Sequence, residues 1–245
     1  MKLRIHPSFY LYIISLYLLG KMKFIIIFIL CFIVHELGHI TLIKLSKLKI
    51  KKLTVFAYGG VLETNINANN NCYIEIAIFS AGVIFNLIFA IISYIIGIKE
   101  LTLVNLIFFL FNIVPIYPID GYYIILNLLS LKLPFYKALK LSKLISLTTL
   151  CFFVIISLFI NLYLIIVSII LFIYNLNNYR DYKLVDSFML DKYLHPSKKL
   201  KNKEIEANIN LKEALYKGKN NYLMLNNKIY YENDLLNRIY KKSAI

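Results

Sequence analysis

The sequence predicts an all-α polytopic membrane protein, with about six transmembrane helices, a short β-hairpin at the membrane edge and a small α/β cytoplasmic tail. Three observations lead to this class. Hydrophobic residues make up 60% of the 245 residues, and the mean hydropathy is +0.68. Apolar runs long enough to cross a bilayer recur along the chain, and the lysines are concentrated between these runs and behind them. This composition excludes an ordinary soluble domain.

Six apolar segments are the predicted transmembrane helices. They cover residues 8–20, 24–43, 73–97, 101–129, 143–160 and 162–176. The last two form one unbroken apolar stretch, which as a single helix would be about 50 Å long, so we expect a tight turn near Asn161. Residues 1–176 are therefore predicted to form the membrane domain.

The basic residues between the segments predict the orientation of the chain. If the N-terminus is cytoplasmic, the outer loops hold only Lys21, Lys23 and Lys99. The inner segments then hold the larger set, which is Lys2, Arg4, Lys44, Lys47, Lys49, Lys51, Lys52, Lys132, Lys137, Lys140 and Lys143. Positive charge accumulates on the cytoplasmic side, so both termini are expected in the cytosol. The net charge of +15 then reflects topology and contact with the lipid bilayer, and nucleic-acid binding is not expected.

The composition becomes polar after the last apolar segment. Residues 177–204 are predicted to be a helical linker that ends in the charged stretch PSKKLKNKE. Residues 205–245 are predicted to be the small cytoplasmic tail, because short helical and strand patterns alternate there around the turn signals KGKNN and NN.

Two histidines and a carboxylate interrupt the second apolar segment. His35 and His39 are four residues apart, so on a helix both imidazoles leave the same face, one turn apart. Two such nitrogens suit one Zn²⁺, and Glu36 lies close enough to take a proton from a water molecule without being a ligand. A pair of buried histidines bonded to backbone carbonyls is the alternative. Ionisable groups inside a span are costly and usually functional, which favours the metal site.

A catalytic zinc site needs a third protein ligand. The acidic candidates near the apolar segments are Glu63, Glu75, Glu100 and Asp120. Asp120 is preferred because two prolines and a glycine break the fourth segment around it, in FNIVPIYPIDGYYII. Broken backbone at membrane depth is tolerated only beside protein or a watery cavity. An interfacial turn aspartate is the alternative interpretation.

Together these motifs resemble the site-2 protease (M50) family of intramembrane zinc metalloproteases, which combines HExxH in one span with N-x-x-P-x-x-P-x-D-G in another. The two motifs are His35, Glu36 and His39 in HELGH, and Asn112, Pro115, Pro118, Asp120 and Gly121 in the broken segment. The resemblance implies that both histidines and Asp120 bind one Zn²⁺ per chain and that Glu36 activates water. It also implies that Asn112, with the prolines and glycine of its motif, binds the substrate.

Two further stretches extend the resemblance. SAGVIFN, residues 80–86, is similar to the family's AGPxxN segment, with Val83 in place of proline, and it adds Asn86 to the expected substrate-binding residues. KKLTVFAYGGVLETN, residues 51–65, predicts the membrane-edge hairpin and contains Gly59 and Gly60. This hairpin is expected to pair with an extended substrate by strand addition. An ordinary interfacial hairpin is the alternative.

The stretches IHPSFYLYII, FAYGG and LPFYKA resemble the sporulation branch of the family. That branch implies removal of the pro-sequence of the sigma factor precursor pro-sigma-K in the mother-cell membrane around the forespore, with inhibitory or anchoring membrane proteins as partners. Its members carry a CBS domain, of which residues 205–240 resemble one abbreviated unit, and this disfavours ATP binding by the tail. The oligomeric state stays open, with a homo-oligomer as one possibility.

Other functions remain open at this point. The chain is alternatively a site-2 protease that acts on another membrane-bound regulator or on signal-peptide remnants. From a different class, it is a metal-binding membrane scaffold or transporter without hydrolysis. Glu36, which no scaffold requires, favours the protease.

Overall fold

The structure is a computed structural model. It describes residues 2–18, 20, 22–56, 59–64, 71–160, 168–169, 171–173, 175–176, 178–196, 201–205, 210–225 and 228–242. The described helices are α1 (Pro7–Leu18), α2 (Met22–Leu45), α3 (Cys72–Ile96), α4 (Lys99–Ile113), α5 (Asp120–Ser130), α6 (Phe135–Ile160), α7 (Asn178–Leu194), α8 (Leu211–Ala214) and α9 (Glu232–Lys242). The strands are β1 (Lys2–Ile5), β2 (Ile50–Phe56), β3 (Gly59–Thr64), β4 (Asn202–Glu204), β5 (Asn220–Leu225) and β6 (Lys228–Tyr231).

The chain is mostly helical, as predicted. Three of the described helices are long and apolar enough to cross a bilayer, namely Met22–Leu45, Cys72–Ile96 and Phe135–Phe159. Helix α1 has 12 residues and is about 18 Å long, shorter than the roughly 30 Å hydrocarbon core. The predicted turn near Asn161 lies outside the described residues, and the count of six spans stays a prediction.

The predicted span 101–129 is two helices separated by an irregular stretch. Helix α4 ends at Ile113, and Val114 is extended (φ −67°, ψ 129°) because the ring of the following Pro115 disfavours a helical conformation at the residue before it. Helix α5 then begins at Asp120. The break places this carboxylate at the start of a helix instead of in the middle of one.

The chain divides into two compact units. The first comprises Met1–Ile66, Ile76–Pro115 and Ile119–Gly121, and the second comprises Asn67–Glu75, Ile116–Pro118 and Tyr122–Ile245. The predicted domain boundaries at residues 176 and 204 stay predictions.

The first unit contains a three-stranded sheet of order β1-β2-β3. Strands β2 and β3 are antiparallel, while β1 adds in parallel to the other edge of β2. The hairpin at the membrane edge stays a prediction. Leu53 and Val55 of β2 pack against Phe32 of α2, with Phe9 and Phe108 around them. This apolar contact fixes the sheet beside the middle of α2, and β3 is left as an edge strand.

The second unit has one core, shared by α5, α6, α7 and the predicted tail. Its buried members are Tyr122, Leu126, Phe135, Ala138, Leu139, Val185, Phe188, Met189, Leu215 and Leu236. A second three-stranded sheet, β4-β5-β6, belongs to this unit. The buried ammonium of Lys217 lies 2.6 Å from a carboxylate oxygen of Glu75 in the first turn of α3 and donates to Asn127 Oδ1 at 3.0 Å. The tail residues are therefore held to the ends of α3 and α5 by a buried ion pair as well as by apolar packing.

Candidate metal centre

Three of the predicted residues converge in the first unit. The Nε2 atoms of His35 and His39 lie 3.1 Å apart. Asp120 Oδ2 lies 3.0 Å from His35 Nε2 and 3.3 Å from His39 Nε2. Both histidines are buried and Asp120 is partly buried, so a bound ion would be largely screened from solvent. The four-residue spacing places both histidines on one face of α2. The break before α5 places Asp120 next to them.

The opposite ring nitrogens fix the orientation of both imidazoles. His39 Nδ1 lies 2.8 Å from the backbone carbonyl oxygen of Ile78, and His35 Nδ1 lies 2.8 Å from Asn86 Oδ1. Because these oxygens only accept hydrogen bonds, each Nδ1 carries the proton in the neutral ring. Each Nε2 is then left with a lone pair, the form in which histidine ligates metals, with the other nitrogen bonded to an oxygen.

The three facing atoms fit a tetrahedral zinc ion. Ligand atoms bound at 2.0–2.1 Å in tetrahedral geometry are about 3.3 Å from one another, and the observed separations are 3.0, 3.1 and 3.3 Å. Asp120 Oδ2 is buried, and none of the described residues donates a hydrogen bond to it. Three lone pairs directed at one another are unfavourable unless a cation lies between them. The donor set of two imidazoles and one carboxylate is a common one for catalytic zinc.

Glu36 lies beside this cluster and is bonded to the sheet. The backbone nitrogen of Gly60 donates to Glu36 Oε1 at 3.1 Å, while Oε2 is buried and has no hydrogen-bond partner among the described residues. A Cβ atom on Gly60 would lie 2.5 Å from the carboxylate carbon and both its oxygens. The glycine therefore lets β3 approach Glu36 closely, so the last residue of the FAYGG stretch contacts the carboxylate predicted to be the base. Gly59 has a φ of +150° and open space around its Cα, a conformation that favours glycine.

Two more glycines let α2 and α3 approach each other at the cluster. A Cβ on Gly38 would lie 2.6 Å from the carbonyl oxygen of Ala81, and a Cβ on Gly82 would meet His39 Nε2 at 2.4 Å and His35 Cε1 at 2.7 Å. Small residues at contacts between apolar helices allow such backbone proximity. Gly82, which belongs to the SAGVIFN stretch, leaves open the space in front of the metal-facing nitrogens.

The second motif lies where α4 ends and α5 begins. Asn112 is half-buried and its amide nitrogen donates to the carbonyl of Phe108 in its own helix, at 2.9 Å. Pro115 and Pro118 lie in the irregular stretch between the two helices. A Cβ on Gly121 would lie 2.4 Å from the carbonyl oxygens of Ile113 and Val114. Gly121 is thus required by the close packing of the first turn of α5 on the end of α4, which is a structural reason independent of substrate.

Asn86 lies behind the ring of His35, in the interior of the first unit. It is fully buried, and its amide nitrogen donates to the carbonyl of Cys31 at 3.1 Å and to Asn105 Oδ1 at 2.9 Å. With its oxygen on His35, all of its polar atoms are engaged inside the protein. In the structure it holds a histidine of the cluster, and its expected contact with substrate stays a prediction.

Several polar residues around the broken segment were missed from the sequence. In the second unit, the Tyr117 nitrogen donates to Ser146 Oγ at 2.9 Å, and Asn175 Nδ2 donates to the Tyr117 oxygen at 2.9 Å. Ser146 Oγ in turn donates to Asn175 Oδ1 at 2.5 Å. Ser146, Asn175 and Asn105 are all buried within apolar segments. An amide or hydroxyl side chain inside an apolar segment could have indicated these residues, because such a group needs a hydrogen-bond partner within the protein.

Comparisons with known proteins show what the chain is similar to. Residues 23–102 match the family described as Peptidase family M50. The chain is 28% identical over 161 residues to stage IV sporulation protein FB of Bacillus subtilis (strain 168), covering 62% of this chain and 55% of the relative. It is 29% identical over 156 residues to a zinc metalloprotease of Methanocaldococcus jannaschii, covering 57% of this chain and 46% of that protein. The chain thus spans about half the length of these two relatives.

A solved structure extends the likeness to the fold. The site-2 protease from Methanocaldococcus jannaschii superposes with a TM-score of 0.57 at 25% identity, over 70% of this chain and 87% of that one. The matched segment 23–102 contains His35, Glu36, His39 and Asn86. The chain is therefore similar to peptidase family M50 over residues 23–102, and its fold is similar to that of a site-2 protease.

Proposed function

We propose that this chain is an intramembrane zinc metalloprotease, which hydrolyses a peptide bond of a membrane-associated protein. The observation that supports it best is the convergence of His35 Nε2, His39 Nε2 and Asp120 Oδ2, with Glu36 beside them on an apolar helix long enough to span a bilayer. Ionisable groups in such a helix are expensive, so three of them on α2 that meet a fourth at the start of α5 favour chemistry.

His35, His39 and Asp120 hold one Zn²⁺ in this proposal. When bound, the ion supplies Lewis acidity, which polarises a water molecule and the scissile carbonyl. Three protein ligands would leave room at the ion for one of these groups, as in catalytic zinc sites. Gly82 keeps the ligand nitrogens accessible, because its missing Cβ would otherwise lie against His39 Nε2.

Glu36 is the general base and then the general acid. The Gly60 N–H fixes Oε1. Oε2 has no partner in the part of the chain that the structure describes, so it is the oxygen that takes the proton from water as the water oxygen bonds to the scissile carbon. Glu36 then delivers this proton to the amide nitrogen as the C–N bond breaks. The products are a carboxylate and a free amine.

Strand β3 offers a means of presenting the scissile bond. A peptide bond inside a helix is shielded by its own hydrogen bonds, so the substrate must first be extended. Strand β3 is at the edge of its sheet, and its Gly60 N–H faces Glu36 rather than a further strand. A substrate segment that adds to this edge would run past Glu36, because strand addition places the new backbone beside the old one. Asn112, Pro115, Pro118 and Gly59 are the other residues that we propose contact the substrate.

The membrane arrangement is proposed from the sequence. The chain crosses the bilayer six times with both termini in the cytosol, because positive charge then accumulates on the inner side. The three long apolar helices support a multi-pass protein.

The proposed substrate is the precursor of the sporulation sigma factor, pro-sigma-K. The similarity to stage IV sporulation protein FB supports a role in sporulation, in the mother-cell membrane around the forespore. Inhibitory or anchoring membrane proteins are the partners that this role implies.

Coexpression tests the proposal. The chain and pro-sigma-K from the same genome are produced together, and the shortened sigma factor is followed by immunoblot. We expect the product with the unaltered chain and no product with Glu36→Gln, in which the proton acceptor is lost. Cleavage by Glu36→Gln would refute the mechanism. Cleavage of other membrane-bound regulators but not of pro-sigma-K would refute the proposed substrate alone.

A further inference from the structure

The geometry points to Asn105 as a positioning residue of the metal centre, which acts through Asn86 on His35. This inference rests on the proposed function, in which His35 binds zinc. Asn105 lies on α4 and is fully buried. Its side chain does not touch the metal-facing atoms, so any effect on them has to pass through Asn86.

A chain of hydrogen bonds joins a backbone carbonyl to the imidazole. Asn105 Nδ2 donates to the carbonyl of Leu101 at 3.0 Å, and Asn105 Oδ1 accepts from Asn86 Nδ2 at 2.9 Å. Asn86 Oδ1 then accepts from His35 Nδ1 at 2.8 Å. The atoms that carry this chain are contributed by three helices, α4, α3 and α2.

The direction of the chain is fixed at its far end. A carbonyl oxygen only accepts, so the Asn105 group facing Leu101 must be the NH₂ group, and its oxygen then faces Asn86. Asn86 meets this oxygen and the carbonyl of Cys31, two acceptors that use both hydrogens of its NH₂ group. Its own oxygen is thereby turned to His35. The result is a His35 ring with the proton on Nδ1 and the lone pair of Nε2 towards His39 and Asp120.

The consequence is a metal site that is oriented before the ion arrives. Some groups hydrogen-bond to the nitrogen of a metal-binding histidine that does not bind the metal. Removal of such a group typically weakens metal affinity about 10- to 100-fold. Without Asn105, one hydrogen of the Asn86 amide loses its acceptor and only the Cys31 carbonyl opposes rotation of the amide. We therefore expect the loss of Asn105 to weaken zinc binding through the ring of His35.

Zinc affinity of the purified full-length chain, measured by competition with a chromophoric chelator, tests the inference. Asn105→Leu preserves side-chain size and removes both polar atoms, and we expect it to weaken zinc binding about tenfold. Asn105→Ala should also weaken zinc binding, so if one of the two variants misfolds, the other still tests the inference. Asn105→Asp, neutral in this buried position, keeps an acceptor and a donor and should restore most of the affinity. Ser93→Ala is the matched control, because Ser93 is buried on α3 and bonds only to carbonyls of its own helix.

A double-mutant cycle separates positioning from general packing. In the Asn86→Leu background, Asn105→Leu should have no further effect on zinc affinity, because the chain of hydrogen bonds to His35 is already broken. Unchanged affinity in Asn105→Leu, or effects of the two variants that simply add, would overturn the inference. His35→Ala distinguishes the two levels: if it abolishes zinc binding while Asn105→Leu leaves the zinc affinity unchanged, the positioning role fails and the metal site stands. If His35→Ala leaves zinc binding unchanged, both fail.

Discussion

Gly82 matters because of the side chain that it lacks. Its nearest neighbours are the imidazoles of His35 and His39, and even one added carbon would lie 2.4 Å from a ligand nitrogen. Real carbon and nitrogen atoms do not approach so closely, so either the histidine or helix α3 would have to shift. The identity of this residue is therefore set by the space in front of the metal-facing atoms, and not by a turn or a special backbone angle.

Gly82→Ala is expected to lower zinc affinity by at least about tenfold, the range found when the surroundings of a ligand histidine are disturbed. The added methyl group displaces Nε2 of His39 from the other two donor atoms. Zinc bound per chain, measured after dialysis at defined free zinc, checks this. Ile91→Ala, at an exposed position of the same helix, should retain the full zinc content. Equal zinc retention by both variants would show that the space at Gly82 is not critical.

Helix α6 supports the broken segment through side-chain hydrogen bonds. The irregular stretch between α4 and α5 exposes backbone groups that no helix satisfies, and at membrane depth each unpaired group is costly. Ser146 of α6 accepts from the nitrogen of Tyr117, and Asn175 donates to its carbonyl oxygen. A non-helical backbone within an apolar protein is stable here because these two side chains replace the missing helix bonds.

Ser146→Ala should therefore destabilise the protein by about 1–3 kcal/mol, the cost of leaving buried polar groups unpaired. Ser142→Ala is the control from the same helix, since Ser142 is also buried but donates only to Leu139 one turn earlier. Thermal unfolding in detergent, followed by the fluorescence of a thiol-reactive or tyrosine probe, compares the two. A midpoint no lower for Ser146→Ala than for Ser142→Ala would argue against this support.

Across the whole chain, features set by local spacing were predictable and features set by distant partners were not. His35 and His39 were placed on one face by a four-residue interval, and Asp120 was found because prolines and a glycine break an apolar run. The role of Asn105 was not predictable, because its partner Asn86 is 19 residues away and no periodic pattern links the two residues. Strand β1 was missed because four residues carry too little alternation to distinguish a strand from a flanking segment.

The tail also depends on contacts that the sequence does not display. Lys192 is completely buried and its ammonium lies 3.0 Å from the Glu232 carboxylate, which also accepts from Asn221. Burial lowers the pKa of Lys192, and the negative charge of Glu232 opposes this. In contrast, Lys212 and Asp186 form an exposed pair at 2.8 Å, and this carboxylate raises the pKa of Lys212.

Glu232→Gln is expected to cost about 3–5 kcal/mol, because it leaves a buried ammonium without its counter-charge. Asp186→Asn, which breaks the exposed pair, should cost about 0–1 kcal/mol. Limited proteolysis of the full chain, with the tail fragment followed by mass spectrometry, ranks the variants. Equal protease resistance of the two variants would contradict a structural role for the buried pair.

The metal content of the purified protein tests the zinc centre most directly. Elemental analysis should give one zinc per chain for the unaltered protein and for Glu36→Gln, since Glu36 is not a ligand. His35→Ala and Asp120→Asn should both fall well below this value, because each removes a donor atom from the cluster. An unchanged zinc content in both ligand variants would contradict a site built from His35, His39 and Asp120.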